Sequence, residues 1–221
     1  VSFFTGTQTE VLFAGPATTQ AAGAATAGWA QVAGAVTTIQ NLVVGATGAS
    51  GGSDVVQPLI PAGFWQQGRA NTVLTASATG IVSWVGTAGT TATWELGITT
   101  AQQGTATGAV AGTKTVLLTS QAYPNNTTSQ TGIAWRFDFD ILARQVGFGT
   151  TAIATALLAT GVGGFTAATN ANSIWGPLPP QVVTTIDASI NYYLYAAITF
   201  GTNASASNTC TMLRMILNGC N

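Results

Sequence analysis

Trp135-Arg136-Phe137-Asp138-Phe139-Asp140-Ile141 is the stretch whose reading settles the fold class. Apolar and charged residues alternate through it without exception. Successive side chains of a β-strand point to opposite faces. Trp135, Phe137, Phe139 and Ile141 therefore share one face, and Arg136, Asp138 and Asp140 the other. The first face must lie inside, and the second must be wet or paired.

The same period of two recurs on both sides of this strand. Leu74, Ala76, Ala78, Val82 and Trp84 alternate with Val73, Thr75, Ser77 and Thr79. Trp94, Leu96 and Ile98 alternate with Thr93, Glu95 and Gly97, after a turn signal at Gly86-Thr87-Ala88-Gly89. Farther on, Ile190, Tyr192, Leu194, Ala196, Ile198 and Phe200 line one side of a long strand. Asn191, Tyr193, Tyr195, Ala197 and Thr199 line its other side. The run Asn208 to Leu217 is apolar on both faces, which predicts a central strand or an interface. Segments 115–120, 151–159 and 181–186 read as further strands, with a helix as the alternative for Ala152 to Ala159. No fixed-period repeat is present, which argues against propellers and β-helices. Uneven strands joined by Gly, Thr and Asn turns predict an all-β sandwich of Greek-key or jelly-roll type.

Residues 1–59 differ from the remainder of the chain. No charge occurs from Val11 to Ser53, and Gly45, Gly48, Gly51 and Gly52 punctuate the end of this stretch. It reads as an extended N-terminal arm, or as short strands laid on something else. A helix from Thr26 to Gly45 is the alternative, with Trp29, Val32, Ala33, Val36, Ile39 and Val43 on one face. Pro58 and Pro61 mark a linker at 55–61, and the sandwich domain is expected over 60–221.

Composition restricts function. Of 221 residues, 11 are charged, five basic and six acidic, and there is no histidine. An ordinary domain of this length carries roughly 55 charges. Five scattered cations make no basic stripe, so nucleic acid is not an expected partner. Histidine chemistry is absent. The pair Cys210 and Cys220 fits no metal spacing, and no cofactor motif occurs. The most apolar window, Trp29 to Ala46, is interrupted by Gln31, Thr37, Thr38, Gln40 and Asn41, so no membrane span is expected. The first residues show neither a basic n-region nor an apolar h-region of a signal peptide. Threonine is the commonest surface-type residue, with 38 copies. Neutral hydroxyls and few charges give little self-repulsion, which favours a protein packed among neighbours.

From Pro61 onward the order of several short pieces resembles the TNF-like jelly-roll domains of tailed-bacteriophage virion proteins. The pieces are Pro61-Ala62-Gly63-Phe64-Trp65, Thr79-Gly80-Ile81-Val82-Ser83, and Thr91-Ala92-Thr93-Trp94-Glu95-Leu96-Gly97. Trp135 through Gly147-Phe148-Gly149, Thr185-Ile186-Asp187 and Ala204-Ser205-Ala206-Ser207-Asn208-Thr209 complete the series. The likeness covers about 160 residues, and no single piece is specific. It implies a homotrimer without enzymatic activity in the virion, held to the major capsid protein or to other virion subunits. Such a protein decorates the capsid, or forms a tail tip or fibre that binds a host glycan.

Three groups of residues are candidates for chemistry or contact. Asp138 and Asp140 lie about 6.5–7 Å apart on one strand face, near the separation of inverting glycosidase carboxylates. They also suit Ca²⁺ ligation. Neutralisation by Arg136 and Arg144 on the same face is the preferred reading. Trp65, Trp175 and Tyr123 stand near prolines and glycines, where an exposed ring, Trp175 first among them, would stack on a sugar; capping the sandwich end or contacting the next subunit is the preferred reading. Tyr193, Tyr195 and Arg214 are expected at a trimer interface, with cross-strand packing as the alternative for the two tyrosines. Arg214 alternates with Cys210, Met212 and Ile216, so it needs an acid such as Asp187 or Glu95, or a subunit partner. The run Gly161-Val162-Gly163-Gly164 matches no phosphate-binding loop, because no strand–loop–helix context surrounds it.

Overall fold

A computed structural model describes residues 9–15, 18–22, 28–29, 40–42, 58–67, 73–84, 91–102, 112–124, 130–145, 155–165, 174–200 and 209–220. Four short strands come first: β1 (Thr9–Gly15), β2 (Thr18–Ala22), β3 (Gly28–Trp29) and β4 (Gln40–Leu42). Next are β5 (Leu59–Ile60), the single-turn helix α1 (Phe64–Gln67), β6 (Val73–Trp84) and β7 (Thr91–Thr99). Then come β8 (Lys114–Thr119), β9 (Tyr123–Pro124), β10 (Gln130–Gln145) and β11 (Thr155–Phe165). The chain closes with β12 (Ile174–Ile186), β13 (Tyr192–Phe200) and β14 (Thr209–Cys220).

The strands form two sheets. Sheet A has the order β12-β11-β10-β6-β14-β2-β3, with β1 also on β14. Sheet B has the order β4-β13-β7-β8, with β5 on β13 and β9 on β7. Pairing is antiparallel except between β2 and β3. The pairings are nested. β6 pairs with β14 in one sheet, and β7 pairs with β13 in the other. This rolled ribbon makes the fold an all-β, jelly-roll-like sandwich. Among the described residues no helix is long and apolar enough to cross a membrane.

The alternation in the sequence sets the core. Trp135, Phe137, Phe139, Ile141, Leu74, Ala76, Ala78 and Val82 point inward from sheet A. Trp94, Leu96, Ile98, Tyr192, Leu194, Ile198 and Phe200 meet them from sheet B. An aromatic cluster holds the sheets together at one end. Trp94 stacks on Phe165 at 6.3 Å, and Tyr123 meets Phe165 edge-on at 4.9 Å. Each fully buried ring of this size contributes roughly 1.5–3 kcal/mol by leaving water. Glycines make room for the rings. Phe137 lies opposite Gly163, whose added Cβ would sit 1.9 Å from Phe137 Cδ1. Tyr195 lies opposite Gly97 in the same manner, with its hydroxyl 2.7 Å from an added Cβ. The glycine run at 161–164 is thus a strand that aromatic side chains cover.

Two helical alternatives fall away, and other expectations are refined. Residues 28–29 and 40–42 are strands, so no helix spans Thr26 to Gly45; β3 and β4 instead add to the sheets. Residues 155–165 are a strand, so the strand reading of 151–159 holds from Thr155 onward and its helical alternative falls away. The short strands before residue 43 lie along β14, β2 and β13 of the same chain. The expected linker is partly built in: Ile60 is fully buried, β5 pairs with β13, and Leu194 N–H donates to the Pro58 carbonyl at 3.0 Å. The alternation along β14 also breaks. Its register against β6 shifts between Met212 and Arg214. Cys210 is buried before the shift, and Met215 and Leu217 are buried after it. Positions 210 and 216 therefore fall on opposite faces, and the alternation that grouped position 214 with both of them does not hold.

Candidate functional site

The outward face of sheet A carries the candidate site, a concavity of about 500 Å³. Register places its residues in two rows across four strands. One row runs Asn218, Thr75, Asp140 and Thr160, from β14 through β6 and β10 to β11. The next runs Ile216, Ser77, Asp138 and Val162. At the usual spacing of neighbouring strands the rows are about 14 Å long. Short side chains on β6 and β11 leave the hollow, and the acidic residues of β10 cross its middle. Thr160 and Asp140 are exposed, and Val162 is 45% exposed.

The two carboxylates differ. Asp138 takes two hydrogen bonds from the Arg136 guanidinium, at 2.7 and 3.0 Å. This contact holds Arg136 above the ordinary arginine value. Bidentate pairing suits a carboxylate and not a proton-donating acid. Asp140 has no ion pair among the described residues, and Arg144, four positions along the same strand, does not reach it. Among the described residues, the expectation that both acids are neutralised thus holds for Asp138 and not for Asp140. No group of three or more metal-ligating side chains occurs among the described residues.

A second polar cluster lies on the outward face of sheet B. Tyr195 O–H donates to Glu95 Oε1 at 2.6 Å, and Lys114 Nζ meets the same oxygen at 2.9 Å. Tyr195 is 1% exposed and Glu95 8%. Burial, with the Glu95 carboxylate second, pushes the Tyr195 hydroxyl far above its ordinary value. Cross-strand register brings these residues together, since Tyr195 faces Gly97 and Glu95 faces Ala197.

The residues expected at functional sites are dispersed. Trp65 is 1% exposed, with its ring against Tyr192 at 6.0 Å. It cannot stack on a sugar, because the loop at 187–191 closes over its segment. Gly63 N–H donates to the Ala188 carbonyl at 2.8 Å, and Ala62 N–H to Asn191 Oδ1 at 2.8 Å. Tyr123 is likewise buried. Trp175 belongs to the edge strand β12, opposite Gly164, and not to a loop; its side chain lies outside the described residues. Tyr193 is half-buried. Tyr195 spends its hydroxyl inside its own chain, which withdraws it from a subunit interface. The Arg214 side chain is outside the described residues. Glu95 is held by Lys114 and Tyr195, and Asp187 accepts from the Ser189 N–H and hydroxyl at 2.9 and 2.6 Å. Cys210 is a free, buried thiol. Cys220 lies ten residues along the same strand, about 33 Å away, so the two cannot bridge within a chain.

The rows of the hollow were legible only in part. Alternation placed Thr75, Ser77, Asp138 and Asp140 on outward faces, but strand order alone brings Asn218 and Thr160 beside them.

No family model matches the chain, and neither does any curated protein sequence. Among solved structures, peanut lectin with a 9mer peptide is similar at a TM-score of 0.33 and 10% identity, over 96% of this chain and 97% of that chain. A likeness of this size carries no argument about ligand or activity.

Proposed function

We propose that the chain is a non-enzymatic structural subunit of a bacteriophage virion, a trimeric capsid decoration or minor capsid protein that binds the major capsid protein or other virion subunits. The observation that carries this reading is how little charge the surface keeps. Of 11 charged residues, Glu95, Lys114, Arg136 and Asp138 are already consumed in two ion pairs within the chain. Exposed aliphatic residues add to the neutral skin: Leu59, Ile81, Val162 and Ile190 are 38–45% exposed. Such a surface favours burial against other subunits. The likeness of Pro61 onward to phage jelly rolls supplies the particle. Light scattering on the purified full chain tests the assembly. Three copies per particle in solution are expected, and a stable single-copy species overturns the trimer. The intact chain is required, because removing residues 1–59 would strip β1 and β2 from β14, β4 from β13 and Leu59 from β5. Quantitative proteomics of phage particles then tests the location. Hundreds of copies fit a capsid role, and a handful fit a tail.

The hollow on sheet A favours a second reading, a tail-tip or fibre protein that binds a host-surface glycan. In this reading the outward residues of β14, β6, β10 and β11 take over the role expected of Trp175 and Trp65.

A further inference from the structure

We infer that the hollow on the outward face of sheet A binds an uncharged saccharide and rejects acidic ones. The inference rests on the second reading above for the existence of a glycan ligand and adds its chemical class. The volume of about 500 Å³ lies within the range of roughly 300–1,000 Å³ usual for small-ligand sites.

The lining selects by hydrogen-bond type. Carboxylates only accept, and threonine and serine hydroxyls accept as readily as they donate. Asp138, Asp140, Thr75, Ser77 and Thr160 therefore offer many more acceptors than donors. Asn218 adds one amide. A ligand that satisfies this surface must bring donors at short, regular intervals, as the hydroxyls around a sugar ring do. Val162, exposed at the end of the second row, offers an aliphatic contact for a C–H face.

Charge sets the class. Among the described residues no cation lines the hollow, and the neighbouring Arg136 already gives two hydrogen bonds to Asp138. Asp140 has no ion pair there to offset its carboxylate. A sialic or uronic acid would set its own carboxylate against Asp140 without compensation, and like charges at contact are repelled. The row from Asn218 to Thr160, about 14 Å long, has room for a disaccharide lying across the strands.

The test uses the full purified chain and saturation-transfer NMR with galactose, glucose, N-acetylglucosamine and their β-linked disaccharides. Sialic acid and glucuronic acid serve as contrasts in the same experiment, and Ca²⁺ alone, which carries no proton to observe, is titrated by calorimetry. At least one neutral sugar should bind, and acidic sugars should not. Asp140→Ala should weaken that binding about tenfold or more, the usual cost of losing a hydrogen bond to a charged group. Thr160→Val should weaken it several-fold. Both positions are exposed, so neither change should unfold the chain, and unchanged circular dichroism checks this. Equal binding of acidic and neutral sugars overturns the charge argument while leaving a glycan ligand. Absence of any sugar binding at tens of millimolar, or binding of Ca²⁺ in place of sugar, overturns both the inference and the glycan reading. Neutral-sugar binding that survives Asp140→Ala and Thr160→Val unchanged removes it from this hollow. None of these outcomes touches the virion assignment, which particle proteomics addresses separately.

Discussion

On the outward face of sheet A, Arg136 and Asp140 stand in solvent and Asp138 is half-buried. On the corresponding face of sheet B, Glu95, Thr99, Tyr195 and Ala197 are 8, 0, 1 and 0% exposed. Both faces arise from the same alternating pattern. The difference lies in what covers them. Sheet A leaves its outer face wet and uses short polar side chains there. The outer face of sheet B is shielded within the chain, so its polar groups must satisfy one another. Among the described residues each face holds one ion pair, and solvent decides the worth of each. Arg136–Asp138 has side chains 56% and 37% exposed, and Lys114–Glu95 has side chains 34% and 11% exposed.

The largest expected effects come from the glycines that underlie the rings. Gly163→Val pushes a branched side chain into Phe137 and should lower stability by about 3 kcal/mol or prevent folding, read as a loss of the denaturant midpoint. Gly97→Ala should cost about 1–3 kcal/mol, because its Cβ meets the Thr115 carbonyl at 2.4 Å as well as Tyr195. Equal stability of either variant would mean that the rings do not lie over these strands.

Next come the two ion pairs. Tyr195→Phe removes a donor from the buried Glu95 carboxylate and should cost about 1–3 kcal/mol in chemical denaturation. Arg136→Ala breaks a solvent-exposed pair and should cost little or nothing by the same measurement. If the two losses proved equal, the outer face of sheet B would be as wet as that of sheet A.

The smallest effect is a pH dependence. Tyr195, Tyr192 and Tyr123 are all raised by burial above the ordinary value of 10.0. A raised folded value contributes stability that is complete below the unfolded value. That stability declines as pH climbs above about 10, where only the unfolded chain ionises readily. Near-ultraviolet absorbance should therefore show these phenols titrating together with alkaline unfolding. Tyr195→Phe should flatten part of that decline. Free titration of every tyrosine in the native protein would contradict their burial.

The sequence made one property of each strand legible, namely which residues share a face. Trp135 to Ile141 and Leu74 to Val82 could be assigned from alternation alone, because one face was apolar and the other was not. The pattern does not say whether the second face meets water, so Tyr195 passed for an interface residue. Proximity of Trp65 to Pro61 and Gly63 suggested a loop, but the hydrogen bonds to Ala188 and Asn191 that bury it join positions far apart in the chain. The bulge in β14 was invisible because one inserted residue leaves composition unchanged. The hollow depends on strand order, which no local window contains.

β14 sits in the interior of sheet A, between β6 on one side and β1 and β2 on the other. Its two sets of partners are drawn from sequence more than a hundred residues earlier. Closing such long loops is entropically slow, and strands of this kind are among the last to dock. Until it docks, β6 and β2 are open edges with unpaired amides, ready to template against another chain. Refolding at high concentration should therefore compete with aggregation, and a peptide copying residues 209–220 should intercept the waiting gap.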